Sequence, residues 1–190
     1  MSRWEPNARG RLEQAALALY GERGFEQVTV AEIAGRAGLT ERTFFRHYAD
    51  KREVLFAGAS ALQEILVGAV EEAPDAAAPM EVVAAALAAV GAMFDERRDL
   101  VRQRQAVIAA NPELQERELI KLAALATALA GALRDRGVPE PAASLTGQTG
   151  IAVFRVAFER WIDDPGRRGL AEVVRESFDE LRTLAAGPSV

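Results

Sequence analysis

The sequence predicts an all-α protein of about nine helices. Alanine, which has the highest helix propensity, supplies 38 of the 190 residues. Apolar residues recur at spacings of three and four along most of the chain, as one face of an amphipathic helix requires. Turn-bounded runs of alternating apolar and polar residues, which would indicate strands, do not occur in the sequence. Together these observations favour helices throughout and argue against a β-sheet.

The first three helices are clearly punctuated. An apolar stripe predicts a helix over residues 8–23. Thr29 and Glu32 have the spacing of a capping box, which predicts a second helix that Gly38 ends. Thr40 is the predicted N-cap of a third short helix, which we expect to end near residue 48.

Six further helices follow. Asp50 is a suitable N-cap for a fourth helix, which we expect to span residues 51–72 without a break. Proline and glycine residues and a charged break mark the later boundaries. The predicted later helices are residues 79–94, 100–110, 112–136, 141–162 and 166–186.

The charge is divided unevenly between two predicted domains. The whole chain carries a net charge of -5, but residues 1–52 alone carry +2 and residues 53–190 carry -7. Residues 36–52 carry +3. We therefore predict a basic N-terminal domain over residues 1–52 and an acidic body over residues 53–190. The basic domain is the candidate for binding nucleic acid.

Composition argues against several classes of protein. The chain has no cysteine and one histidine, which argues against disulfides, thiolate metal sites and histidine-based metal centres. We find no glycine-rich phosphate loop and no nucleophile motif, so we expect no enzyme activity, no metal and no cofactor. The sequence has neither a signal-peptide pattern nor an apolar run of the length that a membrane span needs, so we expect a cytoplasmic protein without membrane contact.

Residues 28–48 have the organisation of a helix-turn-helix. A short helix, a turn containing Gly38 and a second short helix follow one another. Such a second helix fits the major groove of double-stranded DNA, where its outer side chains reach base edges. Opposite the predicted core residues Phe44 and Tyr48, it presents Glu41, Arg42, Phe45 and Arg46.

This part of the sequence resembles a known family. The matching runs are GF at 24–25, TVAEIA at 29–34 and AGLTERTFFRHYADK at 37–51. They closely resemble the DNA-binding domain of TetR-family transcriptional regulators over roughly residues 8–56. The resemblance implies a three-helix DNA-binding domain followed by a helical domain for ligand binding and dimerisation. It also implies a homodimer on a palindromic operator, most often a repressor that a small molecule releases.

The resemblance assigns roles to individual residues. Thr43, His47 and Lys51 match phosphate contacts of the family, and the outer residues of the third helix match positions that face bases. Phe45 departs from the tyrosine that many relatives have, so the hydroxyl contact to phosphate is lost. A solvated charged face remains the alternative for Arg42 and Arg46. The predicted DNA contacts are Thr29, Thr40, Glu41, Arg42, Thr43, Phe45, Arg46, His47 and Lys51.

Arginines near the N-terminus are a further candidate for DNA contact. Arg3, Arg9 and Arg11 fit a flexible arm that reaches an adjacent minor groove, and a solvated tail is the alternative for Arg3.

The body is the predicted site of the effector. Polar residues interrupt its apolar runs, and a buried polar side chain needs a partner, which a ligand can supply. A hydrogen bond between helices, or simple exposure, is the alternative for each. Residues 102–114 and 153–161 also resemble a subgroup related to the mycofactocin-system regulator, which implies acyl-CoA thioesters or another apolar ligand. The pocket candidates are Met93, Phe94, Arg102, Gln105, Leu125, Thr127, Thr149 and Phe154.

The last two helices are the predicted dimer interface. Each carries an apolar stripe, and two copies of such a pair build a four-helix bundle. Burial within one chain is the alternative for part of either stripe. A body that docks a protein partner, or that binds no ligand, is the alternative function. The interface candidates are Phe158, Trp161, Val174, Phe178 and Leu181.

Overall fold

A computed structural model describes residues 7–164 and 168–187 of the chain. Within these ranges the regular structure is helical throughout, which confirms the predicted all-α class. The α-helices are α1 (Ala8–Arg23), α2 (Val30–Arg36), α3 (Glu41–His47), α4 (Ala59–Glu71), α5 (Pro79–Ala89), α6 (Gly91–Asp95), α7 (Arg98–Ala109), α8 (Pro112–Asp135), α9 (Ala142–Asp163) and α10 (Leu170–Ala186), with one 3-10 helix at Glu53–Phe56.

Local sequence signals place the ends of the first helices. Gly24 ends α1 with a φ of 84°, and its N–H donates to the Tyr20 carbonyl at 2.9 Å. The Thr29 hydroxyl accepts from the Glu32 N–H, and the Glu32 carboxylate accepts from the Thr29 N–H. The capping box at the start of α2 is therefore confirmed.

The predicted uninterrupted helix over residues 51–72 is wrong. Asp50 accepts hydrogen bonds from the N–H groups of Arg52 and Glu53, but the turn that it caps is the 3-10 helix Glu53–Phe56. The α-helix α4 starts only at Ala59, after Gly58, which has a low helix propensity.

By length and composition alone, Glu53–Glu71 is apolar enough to cross a membrane, contrary to the sequence-based expectation. Packing explains part of this apolar character. Val54, Leu55 and Phe56 are buried in the core around α1, and Leu66 and Val70 are the buried residues of α4.

The fifth predicted helix is also divided. It breaks at Val90, so that α5 and the short α6 replace one helix over residues 79–94. Gly91 lies against α10 so closely that a Cβ atom there would be 2.5 Å from the Ala171 nitrogen. The absence of a side chain at Gly91 thus allows this contact, which helix propensity does not reveal.

The first of two compact units contains the three N-terminal helices. It runs to Ala59 and also includes Asp99–Glu118, which is α7 after its first residue together with the first turns of α8. Val107, Ile108 and Leu114 belong to the same buried cluster as the apolar residues of α1, α2 and α3. This unit is therefore larger than the predicted domain that ends at residue 52.

The second unit contains Ser60–Arg98 and the chain from Leu119 onward. Its centre is formed by α5, α9 and α10. Two glycines of α9 allow close packing, because a Cβ at Gly147 would lie 2.6 Å from the Ala126 carbonyl oxygen and one at Gly150 would lie 2.4 Å from a Val83 methyl carbon. The large side chains of Trp161 and Phe178 are fully buried here.

Candidate nucleic-acid interface

The helix α3 has one buried and one exposed face. Phe44 is fully buried and packs edge-on against Phe45 and beside Tyr48, with ring centroids 5.5 Å and 5.6 Å apart. Phe45 is 55% exposed although it is the next residue in the chain. Buried Phe44 therefore anchors the helix in the core and directs the opposite face to solvent. The exposed residues of α3 are Glu41, Arg42, Phe45, Arg46 and His47.

Positive charge on this exposed face comes from α3 itself. Two of the five basic residues over 36–52 are paired with acids within the unit, because Arg36 binds Glu22 at 2.9 Å and Arg52 binds Asp50 at 2.8 Å. Burial acts to raise the pKa of the Asp50 carboxyl, but Arg52 and two backbone N–H groups hold it below its usual value. Arg42 and Arg46 thus carry the exposed charge of the motif.

The predicted threonine contacts cap their own helices. The Thr40 hydroxyl accepts from the Thr43 N–H at 3.2 Å and lies 3.1 Å from the Thr43 hydroxyl. The Thr29 hydroxyl lies 2.9 Å from the Glu32 carboxylate. These hydroxyls fix the N-termini of α2 and α3, and their predicted contacts with phosphate remain predictions.

Lys51 has a different environment from the one expected of a residue opening a helix. It precedes the 3-10 helix, and its ammonium donates to the carbonyls of Phe25, Glu26 and Val28 at 2.9, 3.2 and 3.0 Å. It also lies 4.4 Å from the centroid of the Phe25 ring. Sequence reasoning missed this arrangement, because nothing in the local pattern around Lys51 indicates where the loop before α2 lies.

The arginines at the start of α1 are bound to the first unit and do not form a free arm. Arg9 donates to the Ala57 carbonyl and Arg11 to the Ala37 carbonyl. The interpretation of Arg9 and Arg11 as a flexible arm is therefore wrong, and Arg3 lies outside the described residues.

Tyr48 is held by Glu13. Its hydroxyl donates to the Glu13 carboxylate at 2.8 Å, and burial together with that carboxylate raises the pKa of Tyr48. This bond ties the end of α3 to α1.

The eight pocket candidates are divided between the two units. Arg102 and Gln105 belong to the first unit and the other six to the second. In the second unit, Leu125 and Phe154 are buried, while Phe94 packs edge-on against Phe154 with the centroids 6.1 Å apart.

Two of the other candidates face solvent and one is half-buried. Met93 is 47% exposed. Thr127 is exposed and its hydroxyl donates to the Ala123 carbonyl of its own helix, so its interpretation as a buried polar residue that needs a partner is wrong. Thr149 is half-buried.

A surface groove lies between α8 and α9. It has a volume of about 220 Å³, and none of the eight pocket candidates lines it. Its apolar positions recur at spacings of three and four, a signal that resembles an ordinary core face. The lining residues are Leu119, Leu122, Ala123, Gln148, Ile151, Ala152 and Arg155.

Three of the five predicted interface residues are core residues of a single chain. Trp161, Val174 and Phe178 have almost no accessible surface, so they have none to offer to a second chain. Their stripes pack within the second unit, and the interface prediction is wrong for these three. Phe158 and Leu181 are half-buried.

The exposed apolar side chains of the last two helices lie at other positions. Leu145 and Val156 of α9 are 64% and 49% exposed, and Leu184 of α10 is 80% exposed.

An exposed, basic second helix on a capped and buried helix-turn-helix scaffold defines a class of protein: DNA-binding transcriptional regulators of the helix-turn-helix type. Comparison with known families narrows this class. The family described as bacterial regulatory proteins, tetR family, matches residues 13–57, and the MftR C-terminal domain matches residues 77–186. The chain therefore belongs to the TetR family, with a C-terminal domain of the MftR type.

Two relatives are described as transcriptional regulators. The chain is 28% identical over 176 residues to a candidate mycofactocin biosynthesis transcriptional regulator, MftR of Mycobacterium tuberculosis, covering 88% of this chain and 86% of that one. It is 38% identical over 82 residues to the HTH-type transcriptional regulator TcmR of Streptomyces glaucescens, which covers 43% of this chain but only 36% of TcmR. Family and relatives agree with the prediction that the chain is a regulator and not an enzyme.

Solved structures share the fold. FadR of Thermus thermophilus, a TetR-family repressor crystallised with lauroyl-CoA, is 26% identical with a TM-score of 0.59, covering 96% of this chain and 95% of FadR. The triclosan complex of SmeT, the repressor of a Stenotrophomonas maltophilia multidrug efflux pump, is 21% identical with a TM-score of 0.66, covering 94% and 90%.

Proposed function

We propose that this regulator is a cytoplasmic repressor that binds a palindromic operator as a homodimer and leaves it when a small molecule binds the body. The exposed face of α3 carries the proposal, because it presents two arginines and a histidine beside an exposed aromatic ring on a helix that Phe44 anchors. Arginines on such a helix contact guanine edges, and an exposed ring contacts thymine methyl groups.

Selection from a randomised library of duplexes tests the DNA-binding part. The wild-type protein should enrich a palindrome, and its affinity for that duplex should fall steeply as salt concentration rises. Arg42→Ala should lower the preference for the selected duplex over a mixed-sequence duplex by about 5- to 100-fold, the loss of one base contact. Arg97→Ala, an exposed arginine of the second unit, is the matched control and should leave the preference unchanged. Failure to enrich any sequence would contradict the proposal.

For the effector we propose an acyl-CoA thioester or a similar apolar ligand. Support comes from the MftR type of the body and from FadR, which holds lauroyl-CoA and is 26% identical to this chain. A ligand that binds the folded protein raises its melting temperature. Acyl-CoAs of increasing chain length should therefore raise Tm and release the selected duplex at the same concentrations, while free CoA does neither. If acyl-CoAs raise Tm but do not release the duplex, they are not effectors. If no acyl-CoA raises Tm or releases the duplex, the ligand belongs to another class.

The proposed dimer uses the exposed side of α9. Leu145, Ala152 and Val156 are exposed and lie seven and four residues apart, so they share one face of the helix. A second copy that covers this face would remove its apolar side chains from water, which stabilises the association.

A further inference from the structure

The ends of the helix-turn-helix are joined by one side chain, that of Lys51. In sequence, the whole motif separates residues 25–28, which precede α2, from Lys51, which follows α3. In space the Lys51 ammonium lies within hydrogen-bonding distance of the carbonyls of Phe25, Glu26 and Val28. A lysine ammonium has three N–H donors and three carbonyls receive them, so its donor capacity is fully used.

The backbone of the same residue makes a second connection. The Tyr20 hydroxyl donates to the Lys51 carbonyl at 2.6 Å, and Tyr20 is only 2% exposed. Tyr20 belongs to α1, which precedes the loop that the ammonium binds. Lys51 is thus fixed at both its carbonyl and its ammonium.

Moving the ammonium to a DNA phosphate would break these contacts. Phe25 and Val28, which supply two of the three carbonyls, are almost completely buried. The Phe25 carbonyl would keep only the Val28 N–H, at 3.4 Å, and a carbonyl left without a partner in a part-buried site is costly. The ammonium would also leave the face of the Phe25 ring, where a cation is attracted by the ring electrons.

We propose that Lys51 is a positioning residue for DNA recognition: it clamps the entry of α2 to the exit of α3 and sets the spacing of the two helices before DNA arrives. We call this set, Lys51 with the Phe25, Glu26 and Val28 carbonyls and the Tyr20 hydroxyl, the Lys51 clamp. The proposal rests on the proposed DNA-binding function, but the clamp itself is a property of the free protein. Its contribution to binding is preorganisation, because a motif that is already ordered loses less conformational entropy on the duplex.

Lys51→Met removes the ammonium and keeps an unbranched apolar side chain. In the free protein, amide hydrogen exchange over residues 25–30 should become at least about tenfold faster, since the loop loses three hydrogen bonds. Affinity for the selected duplex should fall by about tenfold. The slope of log affinity against log salt should stay unchanged, because no phosphate contact is lost.

Arg46→Met is the matched control on the exposed face of α3. Arg46→Met should weaken binding to the selected duplex but leave amide exchange over residues 25–30 unchanged. Tyr20→Phe provides a second test that keeps the buried ring. Tyr20→Phe should accelerate amide exchange over residues 25–30 and weaken DNA binding, with an unchanged slope of log affinity against log salt. It tests the clamp even if Lys51→Met fails to fold.

Two results would overturn the clamp. A Lys51→Met slope that falls by about 0.9 with unchanged exchange would make Lys51 a direct phosphate contact. Unchanged exchange in Tyr20→Phe and in every folded Lys51 variant would show that the clamp holds nothing in place. Should the wild-type protein bind no duplex, the proposed function fails, while the exchange measurements still decide whether the clamp exists.

Discussion

At the scale of single residues, the adjacent phenylalanines of α3 differ sharply in exposure. Phe44 has no exposed surface, whereas Phe45 is 55% exposed. Chemically identical side chains thus have opposite environments, because successive helix positions point about 100° apart around the axis.

We predict opposite consequences for the two alanine substitutions. Phe44→Ala should lower the free energy of unfolding by about 3–5 kcal/mol, since it leaves a cavity in the core of the first unit. Phe45→Ala should change stability by less than about 1 kcal/mol but weaken binding to the selected duplex. Urea unfolding and fluorescence anisotropy measure the two effects, and a stability loss in Phe45→Ala equal to that in Phe44→Ala would contradict this division.

At the scale of helices, the sequence predicts helix ends well where they depend on residues that are close together in the chain. The capping box at Thr29, the Gly24 terminus and the ends of α8 follow from contacts between neighbours in sequence. Predictions failed where distant residues decide the outcome. At the start of α6, Ala171 of α10 lies close to Gly91, and the Lys51 ammonium binds a loop more than twenty residues away in sequence.

The interface prediction failed for a related reason. An apolar stripe on α10 is equally suited to a second chain and to its own core, and Val174 and Phe178 pack in the core. Periodicity tells which residues share a face of a helix, but not what covers that face.

The capping box of α2 gives a prediction for pH dependence. A hydrogen bond from Arg23, together with the Thr29 N–H and hydroxyl, lowers the pKa of the Glu32 carboxyl from 4.5 to about 2. The folded state therefore binds a proton less readily than the unfolded state. The stabilisation by Glu32 is present above pH 4.5 and is lost as the pH falls towards 2.

Glu32→Gln should remove this dependence. The difference in unfolding free energy between the wild type and the variant should be largest above about pH 5 and should shrink as the pH falls to about 2. Urea titrations at a series of pH values measure it. A difference that stays constant over the whole range would show that ionised Glu32 does not stabilise α2.

At the scale of the whole molecule, the first unit is built from two separate parts of the chain. Ile108 of α7 is fully buried in the cluster that also contains Phe44 and Leu55. Arg104 donates to the Leu55 carbonyl at 2.7 Å and to Glu118 at 3.0 Å, which adds polar contacts to the same unit. The helix-turn-helix therefore depends for its core on residues some sixty positions later in the chain.

This arrangement predicts that a fragment of residues 1–59 is less stable than the same residues in the whole chain. Without α7 the fragment exposes the apolar surface that Val107, Ile108 and Leu114 cover. Ile108→Ala in the full chain should lower the free energy of unfolding of the first unit by about 2–5 kcal/mol. Amide hydrogen exchange at α1 and α3 measures the stability of both the fragment and the Ile108→Ala variant. A fragment whose amides are as well protected as those of the whole chain would refute the dependence on α7.

The assembly supplies the last prediction. A palindromic operator is bound by two recognition helices with a fixed spacing, so a monomer should bind it much more weakly than a dimer. Val156→Glu places a charge in the proposed contact on α9 and should give a monomer in sedimentation velocity, with the selected duplex bound at least about tenfold more weakly. Ile65→Glu, on the exposed side of α4, is the matched control and should remain dimeric. If Val156→Glu stays dimeric, the contact between copies lies on another face; if both variants become monomers, the effect is not specific to α9.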